Sequence, residues 1–196
     1  MMGAERFSDA PRAAAKFAAE RTIATRKLSA TILRPNAIFQ NDLAQKVTLT
    51  TQHIYTTPIG GIGVSLIDNR DVAEVAALEL LRRERSADPL PTETIEVVGS
   101  EAFTGESMAR LWSDVLGNTV TYVGDDLDAV EKACRAMMSA ARAYDLALIF
   151  RGILRDGVLG SPGAADRLVG MLGRPLHTYR TFAEETVAAS PGRLSR

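Results

Sequence analysis

The pattern of apolar and polar positions predicts helices that alternate with strands, followed by helices alone. Residues 13–27 are alanine-rich and come just after Pro11, a residue that favours the first turn of a helix. Residues 29–35, with the sequence SATILRP, form a compact apolar run that stops at a proline, which is typical of a buried strand. The first unit that the pattern predicts is therefore a helix followed by a strand.

The same alternation continues through the middle of the chain. Asp68, Thr104 and Gly117 are residues of the types that cap helices, and each stands beside a predicted helix. Only two or three strands are suited to a central sheet, so we expect an incomplete sheet with an unpaired apolar edge. The predicted segments are a weak helix at 37–50, strands at 54–57, 63–67, 94–99 and 119–124, and helices at 69–84 and 105–116.

From Asp126 onward the pattern predicts only helices, at 127–144, 145–155, 164–172 and 178–189, with glycines and prolines between them. Parallel strands need crossover helices, and the order of the earlier segments supplies them. The predicted fold class is therefore α/β, with a parallel sheet in residues 1–124 and a mainly helical C-terminal subdomain in residues 125–196.

The composition argues against several classes of protein. The formal net charge is −1, and the arginines at positions 82, 83 and 85 end a predicted helix, so we expect no nucleic-acid binding. No apolar run reaches the length of about 18 residues that a membrane span requires, and we expect no membrane association. The single cysteine, Cys134, fits a small core residue in a reducing compartment. These features predict a cytoplasmic protein.

Few residues are suited to metal or phosphate chemistry. His53 and His177 have no carboxylate or cysteine at ligand spacing, so we expect structural histidines and no metal site. Residues 58–63 are rich in glycine but lie between two predicted strands, which favours a hairpin turn over a phosphate-binding loop. Arg174 could bind an anion, although the sequence favours a role in capping the preceding helix.

Four segments in a fixed order resemble those of a known family. They are AAKFAAERTI with ATILRPNAIFQND, then SLIDNRDVAEVAA, then EVVGSEAFTGESMARLWSDVLGNTVTYV, and finally MLGRPLHTYRTFAEE. Together they cover most of residues 13–185. On these segments the chain resembles the NmrA-like family of atypical short-chain dehydrogenases.

The resemblance implies a partial Rossmann-like fold and a relation to NAD(P)H-dependent reductases of small carbonyls or quinones, or to redox sensors. Members of the family bind the dinucleotide on a glycine-rich strand–turn–helix, and the 196 residues contain no such fingerprint. We therefore expect a truncated member of the family, with NADP or NAD as the cofactor by resemblance and none bound by this chain alone. Whether the chain is an enzyme stays open; an active form would be an NAD(P)H-dependent oxidoreductase.

The resemblance also identifies Lys16 as a candidate site residue. It aligns with the family's lysine that contacts the cofactor ribose, and it is the one candidate for a catalytic role. Arg12 stands four residues earlier, where short-chain dehydrogenases carry a tyrosine. The alternative is that Lys16 forms an ion pair with Glu20, one helical turn away.

Three further residues follow the TILRP strand, at the carboxyl end where open α/β sheets bind ligands. The resemblance implies that Asn36 contacts the cofactor in an intact site, and that Phe39 and Asn41 line the pocket of a small-molecule substrate. The alternative is a polar turn after the proline, with Phe39 filling the core.

Two hypotheses follow for the partner of the chain. The unpaired sheet edge could bind a separately encoded Rossmann half, or a second copy of the chain, to complete an enzyme or a redox sensor. The alternative is a non-enzymatic interaction or regulatory protein that has lost cofactor binding.

Overall fold

The computed structural model describes residues 9–189, which contain four short strands and seven α-helices. The strands are β1 (Thr31–Pro35), β2 (Ile54–Tyr55), β3 (Glu93–Val97) and β4 (Thr121–Tyr122). The helices are α1 (Pro11–Thr25), α2 (Asn69–Glu84), α3 (Gly105–Leu116), α4 (Leu127–Arg135), α5 (Ala140–Asp156), α6 (Ala164–Leu172) and α7 (Tyr179–Ala188). A 3-10 helix at Phe39–Gln45 and a π-helical turn at Thr48–Gln52 lie between β1 and β2.

The strands form two small parallel sheets, which confirms the predicted α/β class. β1 pairs with β3 in the register Thr31 to Glu93 and Pro35 to Val97, with α2 in the crossover between them. β2 pairs with β4 in the same parallel sense. Within residues 9–189 no strand pairs with the other edge of β1. The structure therefore has the unpaired edge that the strand pattern predicts.

Two apolar clusters hold the elements together. On one face of the β1–β3 sheet, Ile95 and Val97 pack with Val75 of α2 and Leu168 of α6. A larger cluster joins α3, α7 and the segments around β2, and its large members are the fully buried side chains Tyr55, Trp112 and Tyr179. The other face of the sheet carries Arg34, which binds a carboxylate of α1.

The helix caps agree with the sequence. The side chain of Asp68 accepts a hydrogen bond from Arg70 N at 2.8 Å at the start of α2. Thr104 and Ser107 form a reciprocal capping box at the start of α3, and Gly117 ends that helix with a φ of 69°. These three residues satisfy exposed backbone groups at the helix ends, as predicted.

Several predicted boundaries are wrong. The predicted helix at 127–144 is divided, because α4 ends at Arg135 and Ser139 caps a new helix by accepting a hydrogen bond from Arg142 N. α5 then continues through Asp145, where a break was predicted. The predicted strand at 63–67 is reduced to isolated bridges at Val64 and Ile67. Val64 pairs antiparallel with Phe103 and parallel with Val158, and Ile67 pairs with a third segment at Ile38, so no continuous ladder forms.

Cys134 is less buried than the sequence predicts. It was expected in the core, but it is only half-buried, because α4 contributes no buried residue to either cluster. In the part of the chain from 9 to 189, none of the helices combines the length and the apolar character needed to cross a membrane.

Candidate functional site

The candidate site lies beyond the carboxyl end of β1, where Asn36 is fixed by three hydrogen bonds. Its backbone N–H donates to the carbonyl oxygen of Val97 at 3.1 Å, which extends the β1–β3 ladder. Its Nδ2 donates to the carbonyl oxygen of Val158 at 2.7 Å, and its Oδ1 accepts from Ala37 N at 2.8 Å. Asn36 therefore ties the end of the sheet to the segment that follows α5.

Lys16 lies toward the same end of the sheet. The guanidinium of Arg34 binds Glu20 on α1, with an Nη2–Oε2 distance of 2.6 Å. Because α1 leads through a short connection into β1, the two elements run in opposite directions. Lys16 is one turn, about 6 Å, before Glu20 on the same side of the helix, and Asn36 is about 6–7 Å beyond Arg34 along the strand. Both displacements point the same way, so Lys16 and Asn36 lie at a common end.

The predicted pairing of Lys16 with Glu20 is wrong, because Glu20 is bound by Arg34 from the strand beneath α1. The side chain of Lys16 is exposed, and within the described chain it forms no ion pair. Its ammonium group is therefore accessible to a ligand at this end of the sheet.

Arg12, one turn before Lys16, makes a contact that the sequence does not reveal. Its backbone N–H donates to Oδ1 of Asp145 at 3.0 Å, and its Nε donates to Oδ2 of the same carboxylate at 2.7 Å. The carboxylate belongs to α5 and is only 7% exposed. Arg12, four residues before Lys16, therefore connects α1 to the helical part of the chain.

The two residues implied for the substrate pocket lie in different surroundings. Phe39 is 2% exposed, and its ring packs edge-on against Tyr179 with centroids 5.1 Å apart. This is the placement described by the alternative, in which Phe39 fills the core. Asn41, two residues later, is exposed. The structure therefore does not bring these two side chains to one surface.

The buried carboxylate of Asp42, three residues after Phe39 on the same 3-10 helix, carries no sequence signal. Asp42 accepts hydrogen bonds at Oδ2 from the hydroxyls of Tyr179 at 2.6 Å and Tyr55 at 2.9 Å. At Oδ1 it accepts from the Thr57 hydroxyl at 2.7 Å and from Nε2 of Gln45 at 2.9 Å. The donors come from three segments: Gln45 lies on the same 3-10 helix as Asp42, Tyr55 and Thr57 lie at and just after β2, and Tyr179 begins α7. Only the contact with Gln45 is local, so spacing along the chain does not indicate the rest of the cluster.

The electrostatics of this cluster are set by burial. Desolvation raises the pKa of the Asp42 carboxyl, although the four donors oppose the effect. Burial and the neighbouring Asp42 charge raise the pKa values of Tyr55 and Tyr179 well above the ordinary range. Neither tyrosine can lose its proton near neutral pH, and both are shut off from solvent. The cluster is therefore suited to holding the fold together and unsuited to proton transfer with a ligand.

The glycine-rich segment forms a turn and is held by the residues that follow α5. Gly60 has a left-handed φ of 61°, as a turn requires. The N–H of Val158 donates to the carbonyl oxygen of Gly63 at 2.9 Å, and the N–H of Ser65 donates to that of Val158 at 2.9 Å. The segment begins no helix, so its amides do not converge on a phosphate position.

Arg174 and His177 both bind the buried Asp71 of α2. Arg174 Nη1 lies 2.9 Å and His177 Nδ1 lies 2.7 Å from Asp71 Oδ1. The prediction that Arg174 caps α6 is wrong, because Gly173 ends that helix with a φ of 66°. His177 is structural, as predicted. Among the residues described, no group of three or more His, Cys, Asp or Glu side chains could hold a metal ion.

The chain is similar in sequence to a known reductase. The chain is 27% identical to an NAD(P)H azoreductase from Xenophilus azovorans over 159 residues, which is 81% of this chain and 53% of that protein. No model of a known protein family matches the chain. The chain thus spans about half the length of the curated relative that it matches.

Solved structures share the fold. The Citrobacter triphenylmethane reductase, in a complex with NADP(H), superposes with a TM-score of 0.73 at 19% identity, over 94% of this chain and 62% of that one. The NADPH-dependent quinone oxidoreductase of Escherichia coli, in a complex with NADPH, gives a TM-score of 0.71 at 20% identity, over 86% and 57%. These structural matches confirm the partial Rossmann-like fold, and the azoreductase match in sequence agrees with the resemblance.

Proposed function

We propose that this chain, which is homologous to the NmrA-like NAD(P)H reductases, is the substrate-side part of an NAD(P)H-dependent reductase of quinones, azo compounds or triphenylmethane dyes. The observation that carries the proposal is the match to an NAD(P)H azoreductase over 81% of the chain. The placement of Lys16 and Asn36 at one end of the sheet supports it, because open α/β sheets bind ligands there.

The residues present fit one end of a dinucleotide. Lys16 offers an accessible ammonium group for ribose hydroxyls, and Asn36 is held rigidly at the same end of the sheet by Val158 and Val97. The turn of sequence GSPG at 160–163, which opens α6, lacks the Gly-x-Gly-x-x-Gly spacing, and the segment 58–63 opens no helix. The pyrophosphate would therefore be held by residues outside these 196. When bound, the dinucleotide supplies a hydride to the acceptor.

The surroundings of Lys16 favour acceptors that need no proton from the protein. Arg12 replaces the tyrosine of short-chain dehydrogenases, and a guanidinium does not lose its proton in proteins. Burial, together with a hydrogen bond to Asp125, raises the pKa of Tyr122 to about 12, and that tyrosine lies on β4, away from α1. A quinone that accepts a hydride becomes a hydroquinone anion, and that anion can take its proton from water.

We propose that the missing half docks on the free edge of β1. In the parallel ladder, alternate N–H groups of β1, those of Ile32, Arg34 and Asn36, point toward β3. The N–H groups of Thr31 and Leu33 therefore point to the opposite edge, where a further parallel strand can accept them. Most of α1 is also uncovered, since Ala13 is the one α1 residue that is buried. A second copy of the chain is the alternative occupant.

A fusion protein tests the proposal directly. The part of the Xenophilus azoreductase that precedes its matched region would be joined to this chain. We expect the fusion to oxidise NADPH with a naphthoquinone or an azo dye as acceptor. The isolated chain should reduce neither acceptor. A Lys16→Gln fusion should raise the KM for NADPH, whereas Lys27→Gln, an exposed lysine beyond α1, should not. A folded fusion that binds NADPH but reduces none of the three acceptor classes would refute the proposal.

The isolated chain offers a simpler first measurement. We expect NADPH and NADH at millimolar concentration to leave its melting temperature unchanged, because a ligand raises that temperature only by binding the native state. Light scattering on the same sample gives the mass and reveals self-association. A failure of every fusion and every pairing would favour the alternative, a non-enzymatic interaction protein.

A further inference from the structure

Two exposed aliphatic side chains lie beside the candidate site and belong to neither core cluster. Ile62, in the glycine-rich segment, is 52% exposed, and Leu159, after α5, is 46% exposed. Their segments run in parallel and are joined by the hydrogen bonds of Val158 to Gly63 and Ser65. Both side chains are therefore presented on backbone that is held in place.

Glycines beneath the two side chains put them on the same face. A Cβ atom on Gly157 would lie 2.7 Å from Cγ2 of Ile62, and one on Gly63 would lie 3.3 Å from Cδ2 of Leu159. Residues paired in register share a face of a ladder, so these two glycines have a common side. Val64 and Val158 are buried in the core. Ile62 and Leu159 thus form a small apolar surface over two glycines.

This surface adjoins the residues at the end of β1. The carbonyl oxygen of Val158, next to Leu159, is the acceptor for the Asn36 amide. Two residues further on, Ser161 binds Glu96, which is paired in register with Arg34 beneath α1. The segment of Leu159 therefore crosses the sheet on the side of α1, toward which Lys16 also lies. An apolar surface and a cation thus lie on the same side of Asn36.

We propose that Ile62 and Leu159 are the residues that contact the ring system of the electron acceptor and determine its class. This inference rests on the proposed function and deepens it. Aliphatic side chains favour a flat apolar ring, and the positive charge of Lys16 favours a neutral ring that carries carbonyl oxygens. A quinone meets both conditions, whereas a cationic triphenylmethane dye meets only the first.

Methyl-resolved NMR of the isolated chain tests the inference without cofactor or turnover. The chain, labelled at its Ile and Leu methyl groups, would be titrated with 2,3-dimethyl-1,4-naphthoquinone, which has no free ring position for Cys134 to attack. We expect shifts at Ile62 and Leu159 and none at Leu80, a 70% exposed leucine on α2 that serves as the matched control. Ile62→Ala and Leu159→Ala should each weaken binding about 3- to 10-fold, the loss expected for a partly buried aliphatic side chain.

Several outcomes would overturn the inference. They are the absence of any shift up to the solubility limit of the quinone, shifts that map to another surface, and equal effects of Leu80→Ala and Leu159→Ala. A cationic dye that shifts the same methyls more strongly than the quinone would overturn the charge argument. Because no hydride transfer is involved, a negative result here leaves the reductase proposal to the fusion experiment. Both variants change half-exposed side chains, and their spectra report whether the fold is kept.

Discussion

Replacing Tyr179 by phenylalanine removes one hydroxyl from the buried Asp42 cluster and changes little else. That hydroxyl donates to Asp42 Oδ2 at 2.6 Å and accepts from Trp112 Nε1 at 3.2 Å. The ring keeps its packing against Phe39, because the substitution preserves its shape. The perturbation therefore isolates two buried hydrogen bonds, one of them to a carboxylate.

The magnitude follows from these two bonds. A hydrogen bond to a charged group contributes about 1.5–3 kcal/mol, and a buried donor left without an acceptor costs about 1–3 kcal/mol. The two contributions overlap, so we expect Tyr179→Phe to lower the free energy of unfolding by about 3 kcal/mol at pH 7. Tyr144→Phe, at an exposed tyrosine on α5, is the control and should change it by less than about 0.5 kcal/mol.

The loss of unfolding free energy caused by Tyr179→Phe should depend on pH, and its sign follows from the pKa of Asp42. Burial already raises the pKa of Asp42, and the Tyr179 hydroxyl lowers it, so its removal raises that pKa further. A carboxyl whose pKa is raised by folding stabilises the native state fully below its unfolded pKa, near 3.8, and loses that stabilisation as pH rises through its folded pKa. The variant loses more than the parent, so the difference in unfolding free energy between them should grow as the pH rises from about 4 through the raised folded pKa of Asp42.

Urea unfolding followed by circular dichroism at several pH values measures this difference, without relying on fluorescence from the neighbouring Trp112. In an Asp42→Asn background the Tyr179→Phe cost should lose this pH dependence, because the cluster then has no carboxyl group and its tyrosines titrate only far above neutral pH. A cost that does not change with pH at any value above 4 with Asp42 intact would refute the account. A cost no larger than that of Tyr144→Phe would refute it as well.

Three other substitutions have expected outcomes in the same unfolding assay. Gly99→Ala should prevent stable folding, because its Cβ would lie 2.0 Å from the carbonyl oxygen of Leu66, and a folded variant of normal stability would contradict this packing. Gly170→Ala, in the exposed interior of α6 with no atom within 4 Å of the new Cβ, should stabilise by about 0.5–1 kcal/mol; a loss would show that the site is not open. Arg12→Ala should lower the free energy of unfolding by about 1–2 kcal/mol, because it leaves the buried Asp145 carboxylate without its guanidinium partner, and the half-exposed position of Arg12 limits the loss. An unchanged unfolding midpoint would show that this ion pair does not stabilise the fold.

The sequence predicted the features of the fold that depend on neighbouring residues. Asp68, Thr104 and Gly117 act at helix ends through bonds to residues at most four positions away, so local chemistry is sufficient to identify them. The predicted break between α4 and α5 lies several residues too late, because the sequence pattern places the start of the second helix at Asp145 and Ser139 is the residue that caps it. Asp145 instead lies inside the helix, where it binds a residue 133 positions away.

The candidate site was predictable only in part, for the same reason. The position of Asn36 follows from the end of a strand, which the sequence marks with Pro35. The partners of Glu20 and Arg12, and the two tyrosines that bind Asp42, depend on how distant elements pack, and no spacing along the chain reveals them. The exposed pair Ile62 and Leu159 carries no sequence signal either, since isolated apolar residues in a loop are common.

Helix α1 has few apolar contacts, and this sets the order in which the chain should open. Ala13 is its one residue recorded as buried, and the ion pairs of Arg12 and Glu20 join it to α5 and β1. Elements with little buried apolar surface open locally at a lower free energy than the core. Amide hydrogens of α1 should therefore exchange with deuterium before those of α3, which begins at the capping box and carries the buried Trp112. A partner that covered α1 would slow this exchange and, in the same step, reduce the motion of Lys16.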